Sequence, residues 1–436
     1  MMPAKIAIFE DDLWAAFAPL SYTAALFDIK TACRSILESY EEPPSTLLVR
    51  DSLRDVTAER HPDFEVNPAK IDDDTIFVHS AVLPSSIEAS HLNEMRGTFA
   101  IAADDRVLVA RLSASDREKV AASASAGKRV KPKSLRVDKV ISHEGSKNPP
   151  KILLRPWELI KDLEHRLSSQ LGALVERPES NYDWYNGPDA AKARGIVVRG
   201  ERGALVSRSA VLEEGTVLDC SKGPVLIQKG AKISPSRIVG PAFISEGTQV
   251  KQFSVLASCY VGRECRIAGE VEDSIVCDYS NKAHTGFLGH SYVGSWTNIG
   301  AMTTTSDLKM TYGDIKMTSA GAKTNTGMNK LGSFFGDMVK TSIGCLIYSG
   351  SLIGVSSHLH GLVSGDVPSF TIAGKSIGAS DVELRLDSAI ETQRKMMARR
   401  SIAMSMAYEA MITRVFRDTA AERRDAGVRK AKFASP

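Results

Sequence analysis

The chain has 436 residues, with 55 Lys+Arg against 52 Asp+Glu, and a net charge of only +3 excludes a strongly basic nucleic-acid binder. Apolar residues make up 43%, too many for a disordered chain, and the length fits roughly two to three domains. No apolar run reaches the about 18 residues of a membrane span, and the Met1-Met2-Pro3-Ala4-Lys5 start lacks a signal-peptide layout, so membrane insertion and secretion are not expected.

Residues 1–150 alternate short apolar runs with helical patterns, which predicts an α/β layer structure. Strands are expected over 5–9, 46–49, 75–79, 99–102 and 106–110, and helices over 29–39 and 115–124. Asp104-Asp105 between two strands reads as a hairpin turn. No phosphate-cradling glycine loop follows the first strand, where the chain reads Phe9-Glu10-Asp11-Asp12-Leu13. Residues 151–194 read as a linker with one amphipathic helix, opened by Pro156 and carrying Trp157, Leu159, Ile160, Leu163, Leu167 and Leu171, with Gly172 as its stop.

Glycine placement divides the chain: 5 precede residue 195, 26 fall between Gly195 and Gly378, and 1 follows. In the middle segment small aliphatics recur every six positions: Val211 and Val217, Ile233 and Val239, Ile244 and Val250, Val255, Val261 and Ile267, Val293 and Ile299. A six-residue period fits neither an α-helix nor sandwich strands, and it predicts a parallel β-helix over residues 195–378. Its aliphatics are expected to point inward, with glycine at the corners. The repeat weakens between about 275 and 342, where a loop or site is expected. The six cysteines form no C-x-x-C pair and read as reduced thiols in a cytoplasmic protein. Ser380-Asp381-Val382-Glu383 predicts a capping box that opens a long C-terminal helix over 379–436. From Arg385 onward 12 basic residues stand against 6 acidic ones, so the balanced total averages an acidic body and a basic tail.

Leu218-Asp219-Cys220-Ser221-Lys222-Gly223-Pro224-Val225, residues 280–289 and Asn298-Ile299-Gly300-Ala301 carry a specific likeness, which residues 336–344 and the helical Ala398-Arg399-Arg400 tail extend. Through them the chain resembles the bifunctional N-acetylglucosamine-1-phosphate uridylyltransferase/glucosamine-1-phosphate acetyltransferase family. Within it, the subgroup of sugar nucleotidyltransferases with a hexapeptide tail is the nearest likeness. The resemblance implies a nucleotidyltransferase-like α/β domain, a left-handed β-helix that assembles as a homotrimer, and a transferase of nucleotide-sugar biosynthesis. It also implies acetyl-coenzyme A as co-substrate, a sugar phosphate as acceptor, and UTP or another nucleoside triphosphate with Mg2+ for the N-terminal domain.

On the matching positions the resemblance makes His284 the general base that deprotonates the sugar amine. It places Asn298 and Phe287 at the sugar, with Lys282 as a substitute cation, and Ala301 and Lys340 at the acetyl carrier. Asp28 and Lys30 are implied at the nucleotide. Departures accompany these matches. Phe287 stands where the family has a tyrosine, and the family's phosphate-gripping arginine and lysine fall near Ser254 and Glu272. Arg263 and Arg266 are further substitutes. In the N-terminal domain Thr23-Ala24-Ala25 and Phe27-Asp28-Ile29-Lys30 replace a Thr-Arg-Pro then Asp-Ile-Arg pattern. The loss of that arginine leaves a degenerate domain as one alternative. Two others are a zinc-dependent hydratase, on His284, His290, His358 and His360, and a non-catalytic scaffold or regulator.

Overall fold

The structure, a computed structural model, describes residues 5–87, 95, 97–176, 180–187 and 195–434. The chain divides into two compact units. The first comprises Met1–Ile29, Arg34–Pro156 and Ser405–Arg414, and the second Lys30–Cys33, Trp157–Met404 and Val415–Pro436.

The first unit is built on a seven-stranded sheet. Its strands are β1 (Lys5–Phe9), β2 (Thr46–Leu48), β3 (Glu65–Val66), β4 (Thr75–His79), β5 (Phe99–Ala103), β6 (Arg106–Arg111) and β7 (Lys139–Ser142), in the order β3-β2-β1-β4-β6-β5-β7. Strand β1 runs parallel to β2 and β4 and is apolar on both faces, as a strand covered on both sides must be. One face packs Phe9, Leu48 and Phe77 beneath Val120 and Ala124 of helix α1 (Ala114–Ser125), and the other packs Ile76, Val78, Phe99 and Ile101. Asp104 turns the β5–β6 hairpin with φ +49, as expected. The helix expected over 29–39 does not form; bends lead to a short 3-10 turn, Leu37–Ser39. Ser35 accounts for this: its hydroxyl accepts from the Glu38 N–H, its N–H donates to the Glu38 carboxylate, and its carbonyl accepts from Ser39 Oγ. These local bonds compete with the helical ladder.

In the second unit short strands stack in parallel along three ladders. One climbs through Val211, Lys232, Gln249, Arg266, Asn281, Asn298, Lys340, His358 and Ile372. A second climbs through Val225, Ala242 and Cys259, then Ile275, Tyr292, Phe334 and Leu352. A third joins Val197, Val217, Arg237, Val255, Glu270 and Phe287, and its strand pairing resumes at Thr304, Leu346 and Leu362. Inward side chains from all three form one apolar column, including Ile227, Ile244, Val261, Val276, Val293, Phe335 and Ile353.

Three details differ from the hexad reading. On the third ladder the inward residues are Leu218, Ile238 and Leu256, while their neighbours Val217, Val239 and Val255 stay outside the core cluster. Side chains alternate along a strand, so a shift of one position exchanges the buried residue. Many glycines serve close approach rather than a corner: a Cβ on Gly300 would lie 2.4 Å from the Ser342 carbonyl oxygen. One column of corners is instead left-handed at Glu264, Tyr279, Trp296, Met338, Ser356 and Phe370, with φ from +53 to +66. The rhythm breaks between 298 and 340 because a segment is inserted there, containing the hairpin Lys316–Ser319 and Ala322–Asn325; parallel pairing of Asn298 with Lys340 closes over it.

Helix α2 (Leu163–Val175) runs through Gly172 and packs on strands Arg237–Ile244 and Val255–Val261. The capping box does not form. Val382–Glu383 is a strand antiparallel to Thr371–Ala373, the Asp381 carboxylate accepts from Gly374 N–H, and Glu383 pairs with Arg423 at 2.8 Å. Three helices follow in place of one: α3 (Leu386–Ala398), α4 (Met406–Asp418) and α5 (Ala420–Asp425). Among the described residues no helix is long and apolar enough to cross a membrane.

Candidate active site

Two places concentrate chemistry, one in each unit. In the first unit the parallel strands β1, β2 and β4 end in charged residues: Glu10, Asp11 and Asp12 after β1, Arg50 after β2, and His79 closing β4. Arg50 donates to both Glu10 oxygens at 2.7 Å, and the Leu26 N–H adds a third bond at 3.0 Å. The Arg50 guanidinium also lies over Trp14, 4.7 Å from the ring centre. Asp11 caps the following turn through the Leu13 N–H, meets His79 Nε2 at 2.9 Å and pairs with Arg106. Burial raises the Asp11 pKa, but His79 and Arg106 outweigh it and hold the carboxyl below its usual value. Asp12 is held by Arg106 and Arg129 at 2.9 and 3.1 Å. Each carboxylate here already has a cation. Asp28 and Lys30, expected at the nucleotide, are each engaged by other side chains. Asp28 meets His61 at 2.8 Å. Lys30 belongs to the second unit, its N–H donating to Tyr292 Oη and its ammonium 5.5 Å above the Tyr260 ring. These donors do not fit a Mg2+ ion, since the strand-end carboxylates are neutralised by arginines and Asp28 is bound to His61 through Oδ1.

In the second unit the residues singled out from the sequence occupy successive rungs. Asn281 pairs with Asn298, and Asn298 with Lys340, so the rungs of His284, Asn298 and Lys340 are neighbours. His284 is exposed on the bend between strands Asn281–Lys282 and Phe287–Gly289. Its carbonyl accepts from Lys282 Nζ at 3.3 Å. Lys282 was expected to substitute for a phosphate-binding cation, and its place explains why it is otherwise engaged. It pairs in register with Ile267, so it occupies an inward position of the ladder, and only 3% of it is exposed. Its ammonium reaches back to the bend, donating also to Ala268 O at 2.7 Å and Gly286 O at 2.6 Å. All three protons are thus used, and burial lowers its pKa to about 8, against a smaller opposing pull from Glu270.

Asn298 Oδ1 accepts from Asn281 Nδ2 at 3.4 Å, and Asn281 Oδ1 accepts from Arg400 at 2.9 Å. Ala301 O accepts from the Gly344 N–H at 2.7 Å. Lys340 Nζ donates to Met338 O at 2.8 Å, and burial brings its pKa to about 8. The Phe287 ring folds over Gly289, where a Cβ would meet it at 2.3 Å. Arg263 and Arg266, the other substitute cations, are paired with Asp278 and Glu264 at 2.9 and 3.0 Å.

One arrangement escaped sequence reasoning. His290 lies between Asp307, 2.8 Å from Nδ1, and Asp273, 3.4 Å from Nε2. Burial alone would raise Asp307, but His290 keeps it below the usual carboxylate range; Asp273 is raised by its burial. Residues 273, 290 and 307 lie 17 positions apart, the length of one coil as from Asn281 to Asn298, so the coil length was the signal that could have found them, and the stacking of rungs brings them together. His360 stacks on Phe433, and among the described residues no set of three or more His, Cys, Asp or Glu side chains is arranged to hold a metal ion.

Residues 6–177 match the family described as sugar nucleotidyl transferase, so the chain carries a nucleotidyltransferase-like domain in its N-terminal part. A bifunctional sugar-1-phosphate nucleotidylyltransferase/acetyltransferase of Sulfurisphaera tokodaii is 30% identical over 91 residues, 21% of this chain and 23% of that protein. The bifunctional protein GlmU of a Nostoc species is 29% identical over 131 residues, 25% of this chain and 28% of the relative. These matches bear out the resemblance read from the sequence, and they span about a quarter of each relative's length. A solved UDP-N-acetylglucosamine acyltransferase from Arabidopsis is 11% identical, with coverage of 52% of this chain and 97% of that one, at a TM-score of 0.21.

Proposed function

We propose that residues 195–378 coil as a left-handed β-helix and catalyse coenzyme A-dependent N-acyl transfer to an amino-sugar phosphate, in cytoplasmic nucleotide-sugar biosynthesis. The observation that carries this reading is the setting of His284: exposed on its bend, one rung from Asn298, with its carbonyl fixed by the buried Lys282. An imidazole exchanges protons near neutral pH, as deprotonation of an ammonium-derived amine requires. The sugar nitrogen attacks the thioester carbonyl of acetyl-coenzyme A while His284 takes the amine proton. A C–N bond forms, the C–S bond breaks, and the proton passes to the departing thiolate. Asn298 and Phe287 orient the sugar, and Ala301 and Lys340 lie along the rungs that would follow the acyl carrier.

A bend this open needs further walls to exclude water. Met302, Ile343, Leu346 and Leu362 are exposed close by, with Leu346 and Leu362 paired in register and the Met302 N–H donating to Thr285 O. This apolar face supports a homotrimer in which a second copy completes the site.

The test is thiol release from acetyl-coenzyme A across a panel of amino-sugar phosphates. His284→Ala is expected to lower the rate by about 100-fold or more; an unchanged rate would overturn the assignment. For the N-terminal unit the saturated cluster around Glu10 and Asp11 favours a second reading, a domain that no longer turns over nucleoside triphosphate. Pyrophosphate release from UTP and a sugar 1-phosphate would refute it.

A further inference from the structure

The end of helix α3 delivers two arginines to the rung of the candidate site. Arg399 caps the helix and is exposed; Arg400, the next residue, turns inward and donates through Nη2 to Asn281 Oδ1 at 2.9 Å. Arg400 is half-buried, and its Nε is buried with no partner among the described residues. The carboxylate acting on it, Glu264, is already paired with Arg266 at 3.0 Å. Arg266 stands one rung from Asn281, in register with it. Arg266 and Arg400 therefore share one carboxylate, and Arg399 adds a third like charge beside Arg400. Attraction to the helix C-terminus explains cations in the last turn, but it does not explain an inward guanidinium with a buried, unbonded N–H. A half-buried cation among like charges is costly without an anion.

We infer that Arg400, flanked by Arg266 and Arg399, is the receptor for a phosphoryl group of a substrate. The planar guanidinium suits two phosphoryl oxygens at once. The rung also links this receptor to the candidate site: Arg400 fixes Asn281, whose amide N–H donates to Asn298 Oδ1. The cations absent at Ser254 and Glu272 are thereby supplied from a different element, the C-terminal helix. The phosphoryl group belongs either to the acceptor sugar or to the nucleotide part of the acyl carrier. The location beside Asn298 rests on the acyl-transfer reading, whereas the anion receptor itself does not.

The experiment is calorimetric titration of the full-length protein with inorganic pyrophosphate, which reads binding without any acyl transfer. Arg400→Gln and Arg266→Gln are each expected to weaken binding by about tenfold or more, the scale of a lost charge-assisted hydrogen bond. Arg400→Lys, which keeps the charge and guards against a folding defect, should retain part of the affinity. Lys395→Gln, an exposed charge on the same helix paired with Glu391, should change nothing. Displacement of pyrophosphate by glucosamine 1-phosphate would assign the receptor to the acceptor, and displacement by adenosine 3′,5′-bisphosphate would assign it to the carrier. Absence of pyrophosphate binding, or equal affinity in Arg400→Gln, would overturn the inference even if His284 proves catalytic.

Discussion

Substitution of Lys282 by methionine tests how the repeat tolerates an ammonium at an inward position. The side chain is 3% exposed and bonded to Ala268 O, His284 O and Gly286 O. Burial lowers its pKa from 10.5 to about 8. Between those values the unfolded chain holds a proton that the native chain has released, so native stability rises with pH across that window. At about 1.4 kcal/mol per unit, the gain is roughly 3 kcal/mol, complete near pH 10.5, with the full burial cost present below pH 8. Methionine removes that cost but abandons the carbonyls. Gly286 O keeps the Glu270 N–H at 3.2 Å; the other two lose a charged donor, at about 1–3 kcal/mol each. Near pH 7 the two effects nearly cancel, and the variant should unfold within about 2 kcal/mol of the parent. By pH 10.5 the parent should have gained roughly 3 kcal/mol on the variant. Urea unfolding of both proteins at pH 7, 8, 9 and 10.5 measures the difference directly, and titrations common to both cancel. A difference that stays constant with pH would refute the reasoning.

Two further substitutions follow from the same geometry. Gly300→Ala places a Cβ 2.4 Å from Ser342 O and should cost about 1–3 kcal/mol by overpacking; Gly344→Ala, with φ +66 and open space around it, should cost about 1–2 kcal/mol through backbone strain alone. Thermal melts, with repacking visible in near-ultraviolet dichroism only for Gly300→Ala, separate the two. Arg50→Met leaves Glu10 buried without its cation and should destabilise the first unit by about 3–5 kcal/mol. Denaturant unfolding followed by Trp14 fluorescence reads that loss, and Glu10→Gln combined with Arg50→Met should recover part of it.

The sequence by itself determined the repeat, because a parallel stack returns every rung to the same environment and so imprints a period on the chain. It also determined the strand-rich α/β character of the N-terminal part and the Asp104 turn, both local consequences of apolar patterning and turn chemistry. Tertiary structure decided which neighbour in each pair of aliphatics faces the core, since alternation along a strand makes a one-residue offset invisible to a period of six. It also decided the role of Lys282. In the sequence this residue is a charge in a broken repeat; in the fold it fills a core position and ties down the bend that carries His284. The meetings of His290 with Asp273 and Asp307, and of Arg400 with Asn281, join residues up to 119 positions apart. No spacing rule encodes the Arg400–Asn281 pair, which exists only once the C-terminal helix returns along the rungs, whereas Asp273, His290 and Asp307 stand one 17-residue coil apart and a period of six does not reveal that interval.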